Sequence, residues 1–176
     1  MKKVISTLFA LFVCVSMMAG NPLKVVSGKQ NLKEIMATAG TALVVYDWST
    51  TMYDNKVSAK EKFGSDYDFV VNDCSQSFMN SFNLKSKNLK LTTEKGTAKY
   101  KFVLKVDNVD SFFAAMRFVP RNEAKMWGKL SIVSTENGET LAEINIVEAE
   151  DGADFVFKEC FGKTFAILGE KVAKLK

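Results

Sequence analysis

The side chains best suited to chemistry in this 176-residue chain are carboxylates, lysines and three cysteines, because it contains no histidine. The commonest general base, the commonest metal ligand and the usual switch near neutral pH are therefore missing together. A serine triad, a cysteine–histidine dyad and an ordinary zinc site all need an imidazole. Asp66, Asp68 and Asp73 begin like a calcium loop, but the glycine and terminal glutamate of an EF-hand do not follow. Helix capping accounts for Asp66 and Asp68 without a metal. Asp47 and Asp54 are candidates for paired acid–base carboxylates, yet they are separated by a loop that gives no basis for placing them together. No catalytic residue, metal ligand or cofactor site is expected.

Lys99, Lys101 and Lys105 alternate along one expected strand, and Lys125, Trp127 and Lys129 along the next. On an open sheet face, Lys99, Lys101, Lys105, Trp127 and Lys129 form a candidate site for an anionic glycan or lipid headgroup. The competing reading is a solvated face whose lysines resist aggregation, and Glu143 and Asn145 on the following strand dilute the patch. Gly162, Ala166, Gly169 and Ala173, spaced four, three and four, make a stripe of small residues on the last helix. Such a stripe admits another backbone, either a partner's or a neighbouring helix's. Cys74 and Cys160 fall on expected helices and are either a disulfide or two small buried thiols. Phe112, Phe113, Met116, Phe118 and Val119 crowd a connection before Pro120. They form either an apolar lip for a membrane or partner, or a loop folded over the core.

The elements that must position these residues follow from periodicity. Strands are expected at 23–27, 41–48, 89–92, 99–107, 125–134 and 140–148, with 49–65 as loop. Tyr100, Phe102, Leu104 and Val106 alternate with lysines, the pattern of an antiparallel strand with one wet face. Asn137-Gly138 is a hairpin turn signal. Helices are expected from a cap at Asn31, over 66–82 with Asn83 as its end, and over 155–174 with Asp154 as its cap. Phe157, Phe161, Phe165, Leu168, Val172 and Leu175 recur at helical spacing. The order β-α-β-α-β-β-β-β-α predicts an α/β (α+β) two-layer sandwich, with a mixed, largely antiparallel sheet and helices on one face.

The amino terminus reads as a targeting segment. Lys2 and Lys3 precede an apolar run ended by Gly20-Asn21-Pro22, too short for a membrane span. The expected organisation is a signal peptide at 1–19 and a single domain at 20–176. Val13 before Cys14 departs from a lipobox, which requires a small residue there. Loss of Lys2 and Lys3 lowers the net charge from +4 to +2, with 22 basic residues against 20 acidic. That is no polycation, so nucleic acid is not implied.

Five short runs carry a resemblance: Lys24-Val25-Val26-Ser27-Gly28, Tyr46-Asp47-Trp48-Ser49, Phe82-Asn83, Lys125-Met126-Trp127-Gly128 and Gly138-Glu139-Thr140-Leu141-Ala142. In these the chain resembles small uncharacterised secreted envelope proteins of Bacteroidetes. Its layout is similar to TolB amino-terminal and curli-export-lipoprotein domains. That resemblance implies roles in assembling or bracing envelope machinery. The expected function is a non-enzymatic exported module, periplasmic or secreted and associated with the outer membrane. It binds an envelope protein or a second copy of itself. The alternative is a binding domain for an anionic glycan or lipid on the open sheet face.

Overall fold

A computed structural model describes residues 21–114, 121–154 and 156–175. The segment expected to be a signal peptide lies outside them, as do Met116, Phe118 and Val119. The elements are β1 (Leu23–Ser27), α1 (Lys29–Ala37), β2 (Gly40–Asp47), β3 (Met52–Tyr53), β4 (Val57–Ser58) and α2 (Ala59–Phe63). There follow α3 (Tyr67–Lys85), β5 (Leu89–Thr92), β6 (Tyr100–Ala114), β7 (Arg121–Ser134), β8 (Thr140–Asp154) and α4 (Glu159–Ala173). The sheet order is β1-β8-β7-β6-β2-β5, with β3 pairing the far part of β6. β6, β7 and β8 form an antiparallel meander, while β2 runs parallel to both β6 and β5. The fold is the expected α/β sandwich with a mixed sheet.

Alternation dictates the core. Phe102, Leu104 and Val106 of β6 lie opposite Ile132, Leu130 and Gly128 of β7 on the covered face. Ala142, Ile144 and Ile146 continue the layer on β8. Phe78 and Phe82 of α3 and Phe161, Phe165 and Leu168 of α4 pack down on it, joined by Leu32 and Ile35 of α1. Trp48 stacks on Phe165 with ring centroids 5.4 Å apart. Thr164 anchors α4 from inside, donating its hydroxyl to the Ala124 carbonyl of β7 at 2.9 Å.

The structure corrects several boundaries. β6 runs on to Ala114, through 111–114, expected to be a connection, because a bulge at Val106/Asn108 shifts its alternation. Beyond the bulge Val109 and Ser111 share the helix side with Met126 and Ala124, while Asp110 lies across from Lys125 on the open side. β8 likewise passes through Asp151-Gly152, with Glu148 at φ 54° in an irregular register. The 49–65 stretch holds two short strands and α2, which Ser58 caps by accepting from the Glu61 amide at 3.1 Å. Asn83 does not end α3. Its side chain instead clamps Leu91 of β5, accepting from the amide at 2.6 Å and donating to the carbonyl at 2.9 Å. Asn31 caps no helix; it donates to the Leu141 carbonyl. Asp154 ends β8, and α4 begins at Glu159.

α3 and α4 lie side by side in the same direction, and their seam is tight. A Cβ on Gly169 would sit 2.3 Å from the Phe78 carbonyl oxygen, and one on Gly162 would sit 1.9 Å from Asp73 Oδ2. At an exposed helical site, alanine would be more stable than glycine by about 1 kcal/mol. Here the sign should invert. Gly169→Ala is expected to destabilise the protein by about 1–3 kcal/mol through overpacking against backbone. Denaturant unfolding should show a lower midpoint at unchanged slope, whereas a stabilised variant would mean that the seam is loose.

Candidate functional site

The stripe of small residues is the seat of α3. Gly162 and Gly169 are buried, and Ala173 packs beside the core. Gly162 and Ala166 also line a groove of about 320 Å³ on the outer side of the seam, with Phe69, Asp73, Ser77 and Lys163. The close approach expected of the stripe is made within the chain.

Cys74 and Cys160 are buried free thiols in the structure, so it contains no bond between them. Burial pushes the Cys74 thiol well up, and pushes that of Cys160 up to about 12. Cys160 Sγ donates to the Phe157 carbonyl at 2.8 Å. Neither thiol has the thiolate character that makes cysteine reactive. Native protein at about pH 8 should therefore resist iodoacetamide at both positions and react at both once denatured. A mass showing a bridged pair, or labelling without denaturant, would contradict this.

The carboxylates are held locally. Asp47 accepts from the Ser49 hydroxyl at 2.6 Å and amide at 3.0 Å, which keeps its carboxyl below the ordinary range. Asp54 pairs with Lys56 within its own turn. Asp66 meets Lys158 at 3.2 Å, and Asp68 is exposed in the first turn of α3. Among the described residues no three His, Cys, Asp or Glu side chains gather as metal ligands do. Asp73 differs, since burial and then the nearby Glu159 raise its carboxyl. A carboxyl raised in the fold penalises its ionised form, so stability is lost as pH rises through its folded titration. Asp73→Asn should raise the melting temperature at neutral pH, with the gain vanishing in acid where both side chains are neutral. An equal gain at both pH values would refute the electrostatic cause.

The lysine face divides into two. Lys105 and Lys129 lie opposite each other on β6 and β7. Each has an acid at hand: Lys105 meets Asp107 at 3.3 Å, and Lys129 meets Glu143 at 3.5 Å. Lys125 pairs with Glu148 and Glu150. Trp127 is half-buried across from Asn108 at the bulge. Lys101 stands further back, in register with Leu43 and Val133. Lys99 precedes β6 and lines a cleft at the sheet's end. The five residues do not converge as one patch, because the bulge and the carboxylates break it up.

Aromatic side chains cluster at the opposite end of β6. Among the described residues the exposed phenylalanines are Phe69 (48%), Phe112 (42%), Phe113 (65%) and Phe157 (36%). Phe113 shares a rung with Asn122 at the far end of the β6–β7 pair, and Asn122 in turn pairs with Asp154. Phe157 packs on Phe63 and Phe161, and Tyr53 packs on Phe63 and hydrogen-bonds Ser111 at 2.9 Å. Phe69 joins them through α3, whose first turn lies beside that of α4. Lysine ammoniums lie over the rings: Lys125 over Phe112, Lys158 over Phe69 and Lys62 over Tyr53. The sequence points to Phe112 and Phe113 as an apolar lip, whereas Phe157 has the spacing of a core helix position and Phe69 falls on no apolar stripe.

No protein-family model matches the chain, and no curated protein matches it. Among solved structures, the PelC dodecamer from Paraburkholderia phytofirmans is similar at a TM-score of 0.43 and 10% identity, over 85% of this chain and 95% of that one. A single-substitution variant of it aligns at 0.39 and 9% identity, over 88% and 98%. A neuraminyllactose-binding hemagglutinin homolog from Helicobacter pylori aligns at 0.39 and 10% identity, over 80% and 86%.

Proposed function

We propose that this chain is an exported, non-catalytic module of the cell envelope that docks a protein partner through the aromatic end. The observation that carries the reading is that Phe69, Phe112, Phe113 and Phe157, with Val156, are all exposed at one end of the molecule, Phe112 on the open face of the sheet and the others on the helix side. Large exposed apolar side chains gathered in one place mark interaction surfaces, whereas scattered ones do not. The rim supports a protein over a lipid surface. Lys125 and Lys158 are already paired with Glu148, Glu150 and Asp66, so an anionic headgroup would have to displace carboxylates. An aromatic centre with a rim of mixed charge suits a protein interface. The groove lined by Phe69, Gly162, Ala166 and Lys163 extends this surface along the α3–α4 seam. Export rests on the basic and apolar amino-terminal segment. A binding role rests on the missing imidazole and on carboxylates satisfied by their own neighbours. Among the described residues no helix is long and apolar enough to cross a membrane.

Chemical cross-linking in native envelope extract, followed by purification of the full chain, tests the reading. A defined protein should be captured, and Phe112→Ser and Phe113→Ser should each weaken its capture by about tenfold or more. Leu84→Ser removes an apolar side chain that is 79% exposed elsewhere, at the end of α3, and should leave capture unchanged. Undiminished capture by the double phenylalanine variant would sink the proposal. Sedimentation of the chain with lipid vesicles, lost in the same variant, would replace the protein partner with a membrane.

A further inference from the structure

At the opposite end of β6 the chain builds a recess that the aromatic surface does not use. The connection between β5 and β6 and the hairpin turn between β7 and β8 flank the start of β6. Between them lies a cleft of about 660 Å³, lined among others by Leu43, Lys95, Thr97, Lys99, Tyr100 and Glu136. A second hollow of about 250 Å³ shares Thr97, Lys99 and Tyr100 and reaches Thr38 and Gly40. The two make one trough that passes Lys99 and Tyr100. Its walls are pinned together: Thr135 donates its amide to the Lys99 carbonyl at 3.0 Å and its hydroxyl to the Ala98 carbonyl at 2.6 Å. Lys101 stands next to the trough, in register with Leu43 on the open face.

Charge separates this trough from the rest of the sheet. Lys105, Lys125 and Lys129 each meet a carboxylate. Among the described residues Lys95, Lys99 and Lys101 form no ion pair, and Glu136 is the one acid lining either hollow. Unpaired ammoniums around a concave site focus the field on an incoming anion. Tyr100 lines both hollows, but its ring packs toward the core on the face opposite Lys99 and Lys101. Thr97 and Ser134 add hydroxyls.

We infer that this trough binds a segment of an extended acidic glycan. The lysines meet its carboxylates, and the hydroxyls of Thr97 and Ser134 hydrogen-bond the ring substituents. A bilayer is a poor fit because the lysines line a recess, which a broad, flat surface cannot enter. A nucleic acid is a poor fit because the chain without its leader carries only about +2 overall. This site is independent of the partner surface, and either reading stands if the other fails.

Calorimetric titration of the full chain should detect binding of polygalacturonate and none of neutral dextran. The Lys99→Ala/Lys101→Ala variant should lose at least tenfold in affinity. Lys105→Ala/Lys129→Ala should lose less than twofold, since those lysines are already neutralised. Tyr100 amide shifts on titration would confirm the location without any substitution. Absent polygalacturonate binding, or binding unchanged in Lys99→Ala/Lys101→Ala, overturns the inference. So does polyphosphate bound as tightly through the same lysines, which would leave a general anion site. Binding to phosphatidylglycerol vesicles in place of polygalacturonate would replace the glycan with a lipid headgroup.

Discussion

The seam between α3 and α4 is the contact on which the rest of the architecture depends. Gly162 and Gly169 let the α4 backbone approach Asp73 and Phe78 to a distance that no side chain would allow. Two helices that close have no room between them for a third layer. Their large residues, Phe78, Phe82, Phe161 and Phe165, must turn down onto the sheet, where all four are nearly fully buried. Close packing of this kind has little tolerance for volume change. The two helices run in the same direction, with Asp66 meeting Lys158 at one end of the seam and Lys85 meeting Glu170 at the other. That direction brings both amino-terminal turns to the end where β6, β7 and β8 also meet. Phe69 and Phe157 therefore lie at the same end of the molecule as Phe113.

Much of the fold was legible because its signals are local and periodic. Tyr100 to Val106 alternate cleanly, and the phenylalanines from 157 to 165 recur at helical spacing. What escaped lies where a period breaks. The bulge at Asp107 and Asn108 shifts the alternation of β6, so Ser111 to Ala114 read as a connection although they continue the strand. Glu148 hides the second half of β8 in the same way. The short strands at Met52–Tyr53 and Val57–Ser58 hold too few residues to show any period. Their places are fixed by long-range bonds such as Thr51 Oγ1 to the Val106 carbonyl at 2.7 Å.

The candidate sites were less legible, for an electrostatic reason. A sequence lists lysines but does not show which of them have been neutralised. Lys99, Lys101, Lys105 and Lys129 look equivalent along two strands, yet Asp107 and Glu143 cancel the last two. Asp107 sits at the bulge, and Glu143 comes from the neighbouring strand. Neither pairing follows from alternation alone. The stripe of small residues was ambiguous in another way, because the pattern that admits a partner helix also admits one from the same chain.

The two proposed surfaces sit at opposite ends of one strand. Tyr100 opens β6 at the lysine trough, and Phe112 and Phe113 lie near its other end. Twelve residues of extended chain separate Tyr100 from Phe112, roughly 40 Å at about 3.3 Å per residue. Charges that far apart are screened from each other at physiological ionic strength. A ligand in the trough would therefore not repel or attract a partner at the aromatic end. The strand between them is also stiff, paired with β2 and β3 on one side and β7 on the other, with Phe102, Leu104 and Val106 locked in the core. A rigid spacer with a polar recess at one end and an aromatic surface at the other suits a part that holds two different things at a set distance.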